Sequence, residues 1–139
     1  MKKLFFLILV FTISGLNLNA VEPTENEKLF LQKELKDVAV ELNKNVPYMV
    51  DKITQLDKVI VDKNAVIYNY TIIAYAKADF HGNMEVLFEG IQLNYETQIC
   101  QRKSGYFLLE KGAVFKYAFS DKNGDYLSGF EISIKNCDQ

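Results

Sequence analysis

Beyond residue 20 the chain switches between two apolar spacings. Leu31, Leu35, Val38 and Leu42 recur every three or four residues, which makes one apolar stripe on a helix, with Lys33, Glu34, Lys36, Asp37 and Glu41 left for solvent. Thr24-Glu25-Asn26-Glu27 precedes the stripe and has the form of a capping box, in which two side chains satisfy amides that the first turn leaves unpaired. Asn45-Val46-Pro47 ends the helix, because a residue before proline is pushed out of the α region.

Spacing then changes to alternation. Residues 53–61 are rich in branched side chains and predict a strand, Asp62-Lys63-Asn64 reads as a turn, and residues 65–77 predict a second strand. In that second strand Val66, Tyr68, Tyr70, Ile72, Ala74 and Ala76 form the face for the core, and the opposite face carries the polar breaks. Helical spacing returns from Met84 to Cys100 through Leu87, Phe88, Ile91, Tyr95 and Ile99, with Gly90 costing about 1 kcal/mol relative to alanine. Lys103-Ser104-Gly105 reads as the stop, followed by a short apolar stretch, Tyr106 to Leu109.

A last hairpin follows: Phe115, Tyr117 and Phe119 alternate with Val114, Lys116 and Ala118, Asp121 to Asp125 turn the chain, and Tyr126, Phe130, Ile132 and Ile134 return. The order is α-β-β-α-β-β. It predicts an α+β domain with an antiparallel sheet of about four strands and two helices on one face.

The first residues change the picture from cytoplasmic to exported. Met1-Lys2-Lys3, an apolar run from Leu4 to Ile13 and a small residue at Ala20 match a secretory signal peptide over residues 1–20, leaving residues 21–139 as a single domain. The run is about half of what a spanning helix needs. No cysteine lies near residue 20 to be lipidated, so a soluble periplasmic or secreted protein without stable membrane insertion is expected.

Removing the leader takes Lys+Arg from 16 to 14 against 18 acids, and the net charge from −2 to −4. Arg102 is the single arginine. Such a surface binds phosphates poorly, which argues against nucleic acid as a partner. In an oxidising compartment the only two cysteines, Cys100 and Cys137, are expected to pair with each other.

Reactive chemistry is sparse. His81 is the single histidine, so two-histidine metal sites fail, and Asp79 and Glu85 beside it read as acids at a helix start, where the positive dipole end favours them. Asp121-x-Asn123-x-Asp125 resembles the start of a calcium loop, but Gly124 comes one place early and Ile132 stands where the closing acid belongs; a β-turn explains the cluster better. No nucleotide or nucleophile motif is present, so neither cofactor nor metal is expected and the chain reads as a non-enzyme. Most of the eight tyrosines and ten phenylalanines sit at core spacings. Tyr75, on the polar face of its strand, and Tyr48, beside Pro47, are the outward candidates for a binding surface.

Several of these residues, taken in order, carry a resemblance: Leu42-Asn-Lys-Asn-Val-Pro47 at the end of the first helix, Tyr95-Glu-Thr-Gln-Ile-Cys100 at the end of the second, Leu108-Leu-Glu-Lys-Gly-Ala-Val-Phe-Lys-Tyr117, then a glycine-containing turn, a last strand and Cys137. This order, over roughly residues 35–138, resembles the small disulfide-bonded pilotins of type II secretion systems, of the AspS-like class. The resemblance implies a non-enzymatic periplasmic α+β domain that binds a peptide, as those lipoproteins bind a C-terminal segment of a secretin. The chain departs from them in having no cysteine to lipidate. The expected function is therefore that of an exported binding protein recognising a segment of a secretion or envelope component, by a sheet edge or an interhelical groove. The alternatives are an inhibitor or immunity protein for an exported enzyme, which an acidic surface would suit, and a hydrolase or isomerase built on Asp79, His81 and Glu85.

Overall fold

A computed structural model describes residues 22–138; the expected signal peptide lies outside the described residues. Helix α1 spans Glu25–Asn43 and begins as the capping box requires. The Glu27 amide donates to the Thr24 hydroxyl at 3.3 Å, and the Thr24 amide donates to the Glu27 carboxylate at 2.9 Å. Leu31, Leu35 and Ala39 are its buried stripe.

Strands β1 (Tyr48–Met49), β2 (Thr54–Asp62) and β3 (Ala65–Ile72) follow, then α2 (Met84–Gln101), α3 (Lys103–Glu110), β4 (Val114–Asp121) and β5 (Tyr126–Ile132). Single 3-10 turns lie at Lys77–Phe80 and Ile134–Asn136. The sheet order is β1-β2-β3-β4-β5, antiparallel except at its centre, where β3 and β4 run parallel.

The α+β class holds, and three details of the expectation are corrected. The sheet has five strands and is mixed, whereas four antiparallel strands were expected. Alternation identifies hairpins and faces, but it does not say in which direction two hairpins meet. Here the segment between β3 and β4 is long enough for a crossover through two helices, which is what a parallel pair needs.

Secondly, there are three α-helices where two were expected. Arg102 breaks α2 with extended backbone (φ −87°, ψ 122°), and α3 begins at once. Gly105 does not stop a helix. It lets α3 fold against the end of α2, because a Cβ there would lie 2.9 Å from the Ile99 carbonyl oxygen. Thirdly, β3 stops at Ile72, so Tyr75 sits in a loop, not on the polar face of a strand.

The parallel pair is pinned at both ends. At its start the Val114 amide donates to the Asn64 carbonyl at 3.0 Å, and the Asn64 carboxamide donates to the Gly112 carbonyl at 2.7 Å. At its finish the buried Asp121 carboxylate accepts the Lys77 amide at 2.7 Å and the Asn123 and Asp125 amides at 2.8 Å each. The Asp-x-Asn-x-Asp cluster is thus a turn whose first carboxylate is occupied by backbone. Gly124 supplies the left-handed residue, at φ 86°. Burial would push the Asp121 carboxyl up, but these amides, with that of Gly124, outweigh it and hold it below the usual carboxylate value.

One face of the sheet carries Leu56, Val59, Val66, Tyr70, Ile72, Phe115, Tyr117, Phe119 and Ile132 into the core, under the helices. Phe88 of α2 meets Phe119 at 5.1 Å and Tyr95 meets Tyr117 at 4.8 Å between ring centroids. On the other face Ile60 and Tyr126 are exposed and Lys116 pairs with Glu131 at 3.6 Å. Cys100, at the end of α2, is bonded to Cys137, with 5.4 Å between their Cα atoms. The bridge fastens α2 to the segment beyond β5.

Candidate functional site: a tyrosine-floored groove

Because α1 covers β2 and β3 while α2 lies over β4 and β5, the middle of the sheet is left between two helical walls. A cavity of about 400 Å³ opens there. Tyr68, Tyr70, Phe115 and Tyr117 are its floor, Val38 and Leu42 of α1 one wall, Tyr95 and Ile99 of α2 the other, and Arg102, Gly105 and Leu108 its end.

The floor is rigid. Parallel register sets Tyr68 beside Tyr117 and Tyr70 beside Phe119, and each pair stacks with centroids 5.1 Å apart. Stacked aromatic pairs contribute about 0.5–1.5 kcal/mol each beyond their buried area. Burial pushes the Tyr68 phenol up to about 12, with Tyr48 nearby adding to it. Burial likewise raises Tyr70, helped by Tyr95, and raises Tyr117, helped by Tyr68. Burial also raises Tyr95; the neighbouring Asp51 charge acts in the same direction. At neutral pH the floor is therefore uncharged, apolar in its ring faces and furnished with hydroxyls.

A second cavity, of about 470 Å³ and with no lining residue in common with the first, lies further along β3 and α2. Ile72 follows Tyr70 by two residues on the core face of β3, and Ile91 lies one helical turn before Tyr95 on α2; both line it, with Ile53, Tyr75, Phe80, Leu87 and Phe88. From Leu87 to Gln101 the α2 wall measures about 20 Å. Asp51 and Asp79 are the acids at this end. The Asp51 carboxyl is penalised by burial but held below its usual value by the Ile53 and Thr54 amides, each donating to it at 2.8 Å. A third hollow, of about 350 Å³ between Pro23 and Gly112, shares no lining residue with these two.

Tyr75 is exposed, lines the second cavity and meets the Phe80 ring edge-on at 5.9 Å. Tyr48 pairs with Leu56 in the short edge strand and is half-buried against the core. Tyr68, Tyr70, Tyr95 and Tyr117, read from the sequence as core, are core, with Tyr70 and Tyr117 buried, and they also line the groove. Their signal was chemical: tyrosine in place of phenylalanine at core spacing implies a hydroxyl that reaches a wet or polar place. Asp79, His81 and Glu85 are all exposed where the 3-10 turn meets α2, and Asp79 accepts the Ala76 amide at 2.8 Å. Among the described residues no helix is long and apolar enough to cross a membrane.

No family model matches the chain, and no curated protein matches it in sequence. In three dimensions it is similar to a candidate secreted protein from Pseudomonas aeruginosa, with a TM-score of 0.67 and 18% identity over 83% of this chain and 99% of that one. It is similar to the pilotin EpsS of the Vibrio vulnificus type 2 secretion system, with a TM-score of 0.64 and 12% identity over 82% of this chain and 97% of that one. The pilotin AspS of the Vibrio cholerae type II secretion system gives a TM-score of 0.62 and 12% identity, over 81% and 96% of the two chains. The resemblance carried by the helix ends, the last hairpin and the two cysteines thus holds at the level of fold, and this chain has the α+β fold of type II secretion pilotins.

Proposed function

We propose that the chain is an exported, non-enzymatic binding protein of the cell envelope with a pilotin-like accessory role, holding a peptide segment of a secretion or envelope component in the groove between α1 and α2. Residues 1–20 serve as its signal peptide, and the domain that follows works in the periplasm. The observation that carries this reading is the groove. It is concave and mostly apolar, with an uncharged floor of stacked tyrosines whose hydroxyls can fix a backbone. Tyrosines held in place by packing bind at low entropic cost, because little freedom remains for them to lose. The shared fold of the two pilotins supports the same reading.

Site-specific photo-crosslinking in the producing cell tests it. A benzophenone side chain is placed at Gln98, exposed on the groove wall, or at Lys116, exposed on the far face of the sheet. The expected result is an adduct with an envelope component from Gln98 and none from Lys116. Adducts from Lys116 alone would move the binding surface to the opposite face.

A further inference from the structure

The groove is electrically lopsided. Arg102 edges the end nearest α3, and neither Arg102 nor the adjoining Lys103 takes part in an ion pair among the described residues. Asp51 and Asp79 line the neighbouring cavity further along β3 and α2, and neither meets a lysine or arginine there. Each spends an oxygen on amides of its own loop, which fixes the carboxylate in position without neutralising it. Between the ends lie Tyr70, Ile72, Ile91 and Tyr95, with no charge.

Building on the groove reading above, we infer that the occupant is a segment of opposite charge at its two ends: basic side chains over Asp51 and Asp79, an acidic group over Arg102, and apolar side chains between. Complementary charges across an interface fix register and reject wrong partners more than they add affinity, since a like charge at either end would be costly. A uniformly basic or uniformly acidic segment meets one such penalty whichever way it runs. A bipolar segment has one direction that meets none. The unpaired charges thus select both composition and direction.

The test uses the mature protein and four fluorescein-labelled synthetic peptides that share one alternating leucine–serine core. Their ends are Lys-Lys and Glu-Glu, Lys-Lys twice, Glu-Glu twice, or Ser-Ser twice. Fluorescence anisotropy at low salt should show the bipolar peptide binding roughly fivefold more tightly than the other three, a preference that fades as salt is raised. Arg102→Glu should transfer the preference to the lysine-ended peptide. Asp51→Asn with Asp79→Asn, which keeps an oxygen for the loop amides, should bring the glutamate-ended peptide level with the bipolar one. If bipolar and serine-ended peptides bind alike, the polarity is wrong and the groove reading stands. If none of the four binds, both fall. Concentration-dependent dimerisation abolished by Arg102→Glu would assign the groove to a second copy of the chain and also overturn the proposal.

Discussion

The carboxamide of Asn43, the last residue of α1, clasps the backbone of Val59 in β2: its Nδ2 donates to the Val59 carbonyl at 2.7 Å, and the Val59 amide donates to its Oδ1 at 2.9 Å. The short strand β1 pairs with β2 only at Leu56 and Gln55, and β2 bulges between Leu56 and Lys58. Beyond the bulge the side chain does what a neighbouring strand would do. It satisfies both polar groups of a buried residue and fastens α1, the first wall of the groove, to the sheet beside the floor.

Asn43→Ala should therefore cost about 2 kcal/mol, the loss expected when a buried donor and acceptor are left without partners. Urea denaturation would read it as a lower midpoint at unchanged slope. A change below about 0.5 kcal/mol would mean that water takes over both bonds.

Removing the Cys100–Cys137 bridge should cost more. Its partners are 37 residues apart in sequence, for which loop entropy alone gives about 4 kcal/mol. Cys100→Ser with Cys137→Ser, or reduction of the native protein, should lower the denaturation midpoint accordingly. Equal stability of the oxidised and reduced forms would show that the unfolded chain is not constrained by the link.

Gly105→Ala tests the corner between α2 and α3. The new methyl would meet the Ile99 carbonyl oxygen at 2.9 Å and the Ile99 Cγ2 at 3.1 Å, and backbone cannot yield as a flexible side-chain end would. The expected cost is about 1–3 kcal/mol from overpacking. Ile99 and Gly105 also line the groove, so peptide binding should weaken even under conditions where the variant is fully folded.

Alkaline pH should unfold the protein through its tyrosines. Tyr68 rises to about 12 in the folded state, and Tyr70 and Tyr117 are raised too, from an ordinary value near 10. Between those limits the unfolded chain has lost protons that the folded one keeps, so stability is intact below about pH 10 and falls as pH climbs toward 12. Tyrosinate absorbance and circular dichroism followed together should show these phenols ionising with the loss of fold. Their ionisation in a still-folded protein would place water at the groove floor.

Much of this architecture is legible in the residues because it is local. The Thr24–Glu27 cap, the stripe through Leu31 and Leu35, and the alternation of Phe115, Tyr117 and Phe119 each depend on neighbours a few positions away. What the residues do not show depends on distant contact. Gly105 resembles a helix stop until Ile99 is seen against it, and nothing near Tyr68 announces that Tyr117 will lie alongside in parallel. The groove belongs to the second kind. Its tyrosines have ordinary core spacing and Tyr70 and Tyr117 are buried as that spacing implies; only the placing of α1 and α2 on either side of them makes a hollow above their rings.

The parallel seam between β3 and β4 has a consequence for when the protein becomes competent. Tyr68 and Tyr70 come from one half of the chain, Tyr95 and Tyr117 from the other, and the sulfur link lies wholly within the second half. A half-made chain therefore holds only one leaf of the groove, and oxidation alone cannot supply the missing leaf. On the proposed reading, an occupant lying across the seam would also hold it shut by mass action, so that binding and completion of the fold would reinforce each other.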